Sequence, residues 1–234
     1  MNKKRLHPEY YNPRGILLYS APGVPRFAPI VADLMMRMAT DDQKTQVAIY
    51  DPFCGNGTIL CAAMINYSSC VSNLFGADYD WGAVQSTGMN LTLLSNATLL
   101  GRRVASIVED RPDDIRFAKK GRVLIEHIKR KPSLEYEVRR GNALTATYPS
   151  QKERRVIVTD PPYGKACCWK DLDGDSTPES QLDKFLLNIL EQGIEKVVLA
   201  FDQNQNLGKF LATRFAIKST ARKKKRIIYQ AYAR

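Results

Sequence analysis

The chain has 234 residues, of which 44% are hydrophobic, and a chain of this size buries a core without needing disulfides or a structural metal. Lysine and arginine outnumber aspartate and glutamate by 35 to 24, and the net charge of +11 favours a polyanionic partner such as nucleic acid. No apolar run approaches the roughly 18 residues of a membrane span, so we expect a cytoplasmic protein with no membrane partner.

Cysteine and histidine usage argues against a disulfide framework or a metal centre. The five cysteines are an odd number without a C-x-x-C pair, and His7 and His127 lie far apart. We therefore expect reduced, packed thiols and no bound metal. Basic residues cluster at Lys3–Arg5 and again at Arg222–Arg226, and both clusters are candidates for contact with a polyanion.

The first half of the chain alternates helical and strand patterns. Residues 1–28 are rich in proline, tyrosine and basic residues, which indicates an extended lead-in. Apolar residues then recur at helical spacing over Ile30–Met38, with Pro29 suited to the first turn. The pattern next predicts a strand at Gln46–Tyr50 that ends at Asp51, a helix at Ile59–Ile65, a strand at Asn73–Ala77 and a helix at Trp81–Ser95.

The second half begins with residues 98–132, whose strong charge and helical periodicity predict a helical insertion. The pattern then predicts strands at Leu134–Arg139, Arg155–Thr159 and Lys196–Phe201, a helix at Gln181–Glu191, and a terminal strand pair at 215–220 and 226–233. This alternation indicates an α/β, Rossmann-like fold with a mainly parallel seven-stranded sheet, whose ligands bind at the carboxyl ends of the strands. We interpret residues 1–234 as a single domain, with 1–45 as an N-terminal extension and helix.

A glycine turn follows the first strand, in the run Asp51-Pro52-Phe53-Cys54-Gly55-Asn56-Gly57-Thr58. Gly55 and Gly57 allow a tight turn and a close approach of the backbone to a ligand. Asp78 ends the next strand about 20 residues later, where a carboxylate can accept the ribose hydroxyls of an adenosine ligand. Together these features favour a cofactor that contains a nucleoside.

The charge of Asp51 distinguishes between the cofactors that contain a nucleoside. A dinucleotide loop is normally G-x-G-x-x-G, but the third glycine position here is Leu60, and Asp51 would repel a pyrophosphate. The same carboxylate suits the ammonium group of a methionine moiety, so we expect S-adenosylmethionine rather than NAD. Asn142 ends the third strand, where it is either a hydrogen-bond partner of the adenine edge or an ordinary turn residue.

The fourth strand delivers Asp160-Pro161-Pro162-Tyr163-Gly164. Two prolines fix the backbone and remove two N–H groups, so the segment leaves the sheet as a rigid, extended turn. We expect Asp160 and the Pro161 carbonyl to accept hydrogen bonds from a base and so to orient its nitrogen toward the methyl group. Tyr163 offers a face on which an extruded base can stack. Trp81 and Trp169 could also meet a base, but we interpret both as core residues.

Other functions remain open at this point. The D-P-P-Y run also suggests a DNA amino-methyltransferase, although no segment is large enough for a separate DNA-recognition domain. A non-catalytic RNA-binding protein on the same fold is a second alternative. A dehydrogenase is disfavoured by the charge of Asp51.

The chain resembles the avilamycin-resistance rRNA methyltransferase (AviRa-like) family of class I S-adenosylmethionine-dependent methyltransferases. The resemblance covers residues from about 15 to 201 and includes the charged insertion. It rests on Leu17–Gly23, Asp51–Thr58, Gly76–Asp80 with Asn90–Ser95, and Val158–Gly164. Pro161 stands where the family has leucine, which favours an exocyclic amine as the target, and Asn142 stands where the family has aspartate.

The resemblance implies methylation of a guanine base in large-subunit (23S) rRNA, which would protect the ribosome from orthosomycin antibiotics. We expect the protein to act as a monomer. The expected cofactor-binding residues are Asp51, Phe53, Cys54, Gly55, Gly57, Asp78, Tyr79, Asn142 and Ala143. The expected catalytic residues are Asp160, Pro161, Pro162 and Tyr163.

Overall fold

A computed structural model describes residues 5–12, 15–41, 46–149, 154–162, 177–204 and 207–234. These residues include seven strands: β1 (Val47–Asp51), β2 (Val71–Asp78), β3 (Glu135–Arg140), β4 (Arg154–Thr159), β5 (Lys196–Asp202), β6 (Phe215–Lys223) and β7 (Arg226–Ala233). The helices are α1 (Pro29–Thr40), α2 (Thr58–Asn66), α3 (Trp81–Ser95), α4 (Ala97–Asp110), α5 (Ile115–Lys129), α6 (Pro178–Glu191) and α7 (Gly208–Arg214), with a 3-10 turn at Pro8–Tyr10.

The strands form one sheet in the order β3-β2-β1-β4-β5-β7-β6. All neighbours among the first five are parallel, whereas β7 pairs antiparallel with both β5 and β6. The predicted mainly parallel seven-stranded sheet is confirmed. The chain order reverses between β1 and β4, and ligands of such sheets bind outside the carboxyl ends of the strands at this point.

Helices cover both faces of the sheet, which explains why β1 is apolar at nearly every position. Val47 and Ile49 face the core formed with α1 and α2, while Ala48 and Tyr50 face the core formed with α6. All five β1 residues are buried. The strand therefore emerges at the cleft with Asp51 as its last residue.

The helical segments confirm most of the sequence pattern. Residues predicted to be helical over 98–132 form α4 and α5, whose first turns are capped by the side chains of Asn96 and Asp114. The short helix α7 was not predicted because Asn204–Gly208, which lead into its first residue, are typical of a turn. None of the described helices combines the length and apolarity needed to cross a membrane.

The prediction that Trp81 is a core residue is wrong. Trp81 opens α3, directly after the N-cap residue Asp80, and its side chain is 55% exposed. Its place at the start of the helix, just beyond the end of β2, therefore leaves the indole largely in solvent. Trp169 and the cysteines at 167 and 168 lie outside the described residues.

Candidate active site

A cavity of about 420 Å³ opens at the carboxyl edge of the sheet, which is the size typical of sites for small ligands. It joins the tips of β1, β2 and β4 with the glycine turn and with a stretch of the N-terminal lead-in. The predicted site residues on its wall are Asp51, Phe53, Cys54, Gly55, Asp78, Tyr79, Asn142, Ala143, Asp160 and Pro162. Gly57 and Pro161 do not line it, and Tyr163 lies outside the described residues.

The glycine turn has the tight backbone turn that its sequence predicts. Gly55 has φ 52° and Gly57 has φ 74°, in the left-handed region that side chains disfavour. A Cβ on Gly57 would come within 2.8 Å of the Thr87 side chain on α3. Close packing against α3 is therefore one reason for the second glycine, and its close approach to a ligand stays a prediction.

Asp51 is buried, and its hydrogen-bond donors among the described residues are neutral. The Thr159 hydroxyl donates to its Oδ1 at 2.6 Å, and the backbone N–H of Phe53 lies 3.4 Å from the same oxygen. Burial raises the pKa of Asp51 to about 7, although these two contacts oppose the shift. A carboxylate in this setting gains more from a cationic ligand than one already paired with lysine or arginine.

Asp78 is held by two backbone N–H groups, one to each carboxylate oxygen. Gly55 donates to Oδ2 at 2.9 Å, and Asp80 donates to Oδ1 at 2.9 Å. Burial raises the pKa of Asp78, and the two N–H contacts oppose that rise. Each oxygen keeps acceptor capacity, since a carboxylate oxygen has two lone pairs. Two acidic groups without a fixed cation suit an ammonium and hydroxyl groups and would repel a phosphate.

Asn142 and Ala143 follow the third strand, β3, and Tyr79 follows the neighbouring strand β2. The Asn142 Oδ1 accepts the backbone N–H of Leu144 at 3.0 Å, which is the turn role left open by the sequence. Its contact with adenine stays a prediction. The Arg140 guanidinium stacks on the Tyr79 ring, with its central carbon 5.3 Å from the ring centroid.

Asp160 lies on the cavity wall opposite the glycine turn and forms an ion pair with Arg226. The Arg226 Nη2 donates to Oδ2 at 3.1 Å, and Nε lies 3.0 Å from Oδ1. The Arg226 Nη1 also donates to Asp202 at 3.5 Å. Burial raises the pKa of Asp160 to about 6, while Arg226 acts in the opposite direction.

Sequence reasoning missed the role of Arg226. It belongs to the run Arg222–Arg226, which was interpreted as a surface for a polyanion, and Arg222 to Lys225 are indeed exposed. Arg226 instead starts β7 opposite Asp202 of β5 and has a side chain only 16% exposed. The register of the terminal hairpin was needed to separate it from its neighbours.

The lead-in was also underestimated, because residues 22–27 form one wall of the cavity. Asn90 fixes the segment before this wall by accepting from the Tyr19 N–H at 2.7 Å and donating to the Tyr19 carbonyl at 3.0 Å. Asn56, between the two glycines of the turn, accepts from the Ala21 N–H at 2.9 Å. Asn56, inside the glycine turn, was the sequence feature that could have indicated this contact with the lead-in.

Cys54 lines the cavity without the features of a nucleophile. Its side chain is buried, and burial together with the nearby Asp51 and Asp78 carboxylates raises the pKa of its thiol well above the ordinary value. Among the described residues, no group of three or more histidine, cysteine or acidic side chains could hold a metal ion.

Comparison with known proteins identifies the family. The model for "rRNA methyltransferase AviRa" matches residues 9–222. The chain belongs to the AviRa family of rRNA methyltransferases. A curated relative, the 23S rRNA (guanine(2535)-N(1))-methyltransferase of Streptomyces viridochromogenes, is 28% identical in an alignment of 168 residues that covers 67% of each chain.

Solved structures agree on the fold. The AviRa rRNA methyltransferase of Streptomyces viridochromogenes superimposes with a TM-score of 0.77 at 18% identity, covering 98% of this chain and 94% of its own. A ribosomal protein L11 methylase from Lactobacillus delbrueckii subsp. bulgaricus gives 0.55 at 13% identity, over 91% and 83% of the two chains. The class I methyltransferase fold expected from the resemblance is confirmed.

Proposed function

We propose that this AviRa-family methyltransferase uses S-adenosylmethionine to methylate N1 of a guanine in 23S rRNA. The observation that carries the proposal is that one cavity holds two acidic groups, Asp51 and Asp78, that form no ion pair within the described part of the chain, together with the strand-end carboxylate Asp160. The 23S rRNA guanine N1 activity of the Streptomyces viridochromogenes relative supplies the choice of base and atom.

The residues on the cavity wall fit this cofactor. Asp51 would pair with the ammonium of the methionine moiety, Asp78 would accept the ribose hydroxyls, and Asn142 and Ala143 would flank the adenine. When bound, S-adenosylmethionine supplies an electrophilic methyl group on a sulfonium. Phe53 and Cys54 also line the cavity. The Phe53 ring makes an edge-on contact with Phe185, at 5.2 Å between centroids, which restrains its orientation.

Asp160 is the residue with the chemistry that guanine N1 requires. N1 of neutral guanine carries a proton, so a methyl group can be attached there only as that proton leaves. A partly buried carboxylate with a pKa of about 6 is ionised at neutral pH and basic enough to accept it. This requirement leads us to propose N1 in place of the exocyclic amine favoured by the D-P-P-Y run. Base stacking on Tyr163 stays a prediction.

The charge distribution along the sheet edge supports an RNA substrate. The strand order places Arg139 and Arg140 of β3 at one end of this edge and the exposed residues 222–225 of the β6–β7 hairpin at the other. The acidic tips of β2, β1, β4 and β5 lie between them. Six steps between neighbouring strands span roughly 29 Å, so a nucleic acid strand can contact cations on both sides while one base reaches the central cavity.

Several sequence predictions remain part of this proposal. They are action as a monomer, a cytoplasmic location, a single domain over residues 1–234, and protection from orthosomycin antibiotics. Expression of the gene in an avilamycin-sensitive strain tests the last of these. Unchanged susceptibility alongside a methylated guanine would assign the enzyme to routine ribosome modification.

The proposal is tested by incubating the protein with labelled S-adenosylmethionine and in vitro transcribed 23S rRNA, 16S rRNA or duplex DNA. We expect label in 23S rRNA that mass spectrometry identifies as 1-methylguanosine. Asp160→Asn should reduce transfer at least about 100-fold, as loss of a general base does, with cofactor affinity preserved. Asp183→Asn is the matched control, because Asp183 forms a similar pair with Arg214 away from the cavity. Preferential labelling of DNA, or of N2 in place of N1, would refute the assignment.

A further inference from the structure

Polar residues at the strand tips share one local contact. In each case the side-chain Oδ1 accepts or lies near the backbone N–H of the residue two positions later. The distances are 3.4 Å for Asp51 and Phe53, 2.9 Å for Asp78 and Asp80, 3.0 Å for Asn142 and Leu144, and 3.0 Å for Asp202 and Asn204. This contact orients each side chain with respect to the end of its own strand.

Asp160 is the exception, and its sequence explains why. The residue two positions later is Pro162, and the residue between them is Pro161. Neither proline has an N–H. The turn that holds the other strand-tip carboxylates therefore cannot form at the end of β4, and Asp160 needs a donor from elsewhere in the chain.

Arg226 supplies that donor from β7, across the intervening strand β5. Its Nε and Nη2 lie side by side against the two carboxylate oxygens of Asp160 at 3.0 and 3.1 Å, and of these two contacts only the one from Nη2 to Oδ2 has hydrogen-bond geometry. Its Nη1 donates to Asp202. One hydrogen bond and one ion-pair contact, each to a different oxygen, restrain the carboxylate more than a single point charge would.

We propose that Arg226 is a positioning residue for methyl transfer, which holds the Asp160 carboxylate at the cavity wall in the orientation that receives the proton of guanine N1. The inference rests on the proposed function for the identity of the base. As the N1–H bond breaks, its electron pair forms the N1–methyl bond, the carbon–sulfur electron pair stays on the donor sulfur, and the proton moves to an Asp160 oxygen.

A second arginine–aspartate ion pair lies away from the cavity. Arg214 of α7 contacts Asp183 of α6 at 3.0 and 3.1 Å, almost the geometry of the Arg226–Asp160 pair. Its two side chains are 38% and 40% exposed, and neither lines the cavity. The two pairs differ in location and burial, so Arg214 is a matched control for any effect of removing a guanidinium.

The proposal predicts a shift in pH dependence. The charged residues that line the cavity with Asp160 are Arg26, Asp51, Asp78, Asp80 and Arg226, and Asp202 lies beside them on β5. Arg226 lowers the pKa of Asp160 and Asp202 raises it. When the Arg226 guanidinium is removed, most of the remaining charged groups around Asp160 are carboxylates. The pKa of Asp160 should therefore rise.

The experiment compares Arg226→Gln, Arg226→Lys and Arg214→Gln with the wild type. For Arg226→Gln we expect kcat on 23S rRNA at pH 7 to fall at least about tenfold, within the contribution of a general base, and the ascending limb of the kcat–pH profile to move to higher pH. Arg226→Lys keeps the charge without the side-by-side contact, so it should lose kcat with a smaller displacement of the limb. Arg214→Gln should change neither.

Affinity for S-adenosylmethionine, which should change less than about twofold in these variants, reports that each one is folded. Wild-type kcat and an unmoved limb in Arg226→Gln would overturn the inference while leaving the proposed function intact. A wild-type enzyme that fails to methylate 23S rRNA would instead refute the proposed function. In that case carboxyl NMR, with the Asp160 signal assigned from Asp160→Asn, still tests the contact, and an equal Asp160 pKa in wild type and Arg226→Gln would overturn it.

Discussion

The two halves of the cleft hold their carboxylates in different ways. On the β1–β2 half, the hydrogen bonds that Asp51 and Asp78 receive from residues the structure describes come from backbone N–H groups and a hydroxyl. On the β4–β5 half, Asp160 and Asp202 share the Arg226 guanidinium. A carboxylate without an internal cation is left to bind one from a ligand. A carboxylate that has its cation built in is fixed in place and serves another purpose, which we propose is to accept a proton.

The largest effect is expected for Asp51→Asn, which removes the negative charge of the side chain and keeps its shape. Affinity for S-adenosylmethionine should fall roughly 30-fold, because a hydrogen bond to a charged group contributes about 1.5–3 kcal/mol. Calorimetry measures this directly. The control ligand is 5′-methylthioadenosine, which lacks the ammonium, and a similar loss for that ligand would show that Asp51 does not face the amino group.

The pH dependence of cofactor binding sharpens the comparison. Because the pKa of Asp51 is about 7 without a cation, this carboxyl group takes up a proton below neutral pH. Affinity for S-adenosylmethionine should therefore fall by up to about tenfold for each pH unit below 7. Asp51→Asn should bind with little dependence on pH from 5 to 7, and an equally steep profile in that variant would place the titrating group elsewhere.

The two halves should differ in the size of the effect when stability is measured without ligand. The folded-state pKa of Asp51 lies above its ordinary value of 3.8, so the folded protein binds the extra proton between these values and loses stability as pH rises from about 4 to 7. At pH 8, Asp51→Asn should raise the free energy of unfolding by roughly 1–3 kcal/mol. Burial also raises the pKa of Asp160, to about 6, but Asp160→Asn takes a partner from the buried Arg226, so its gain in stability should be smaller than that of Asp51→Asn. Urea denaturation measures both, and an equal or larger gain in Asp160→Asn would break the comparison.

The smallest effect is expected at Asn142, at the far end of the first half. Its Oδ1 is used by the Leu144 N–H, so Asn142→Ala should weaken cofactor binding no more than about threefold and cost about 0.5–1.5 kcal/mol of stability through the lost turn contact. Equilibrium binding and thermal melts measure the two effects. A loss of affinity above tenfold would instead support a direct contact with adenine.

The same division explains what the sequence could predict. The β1–β2 half depends on contacts between residues close in the chain, such as Gly55 and Asp78, and short motifs with known spacing describe them. The β4–β5 half depends on Asp160 and Arg226, which lie 66 residues apart. Within the run Arg222–Arg226 every side chain is a cation, so residue type alone cannot show which one turns inward.

Other differences have similar physical causes. Composition correctly placed residues 22–27 in an extended lead-in, but only the contacts of Asn56 and Asn90 bring that segment to the cavity. Trp81 was assigned to the core because tryptophan is usually largely buried, whereas its position at the start of α3 exposes it. Both outcomes depend on where an element sits in the sheet, which local patterns do not record.

The contact between Gly57 and Thr87 links two parts of the sequence that look unrelated. The Thr87 hydroxyl donates to the Gly55 carbonyl at 2.7 Å, and its methyl group and oxygen occupy the space that a Cβ on residue 57 would need. Positions 57 and 87 thus share one volume, and Thr87 adds a steric reason for glycine to the positive φ of residue 57. In related chains that keep threonine at position 87 we therefore expect glycine at position 57.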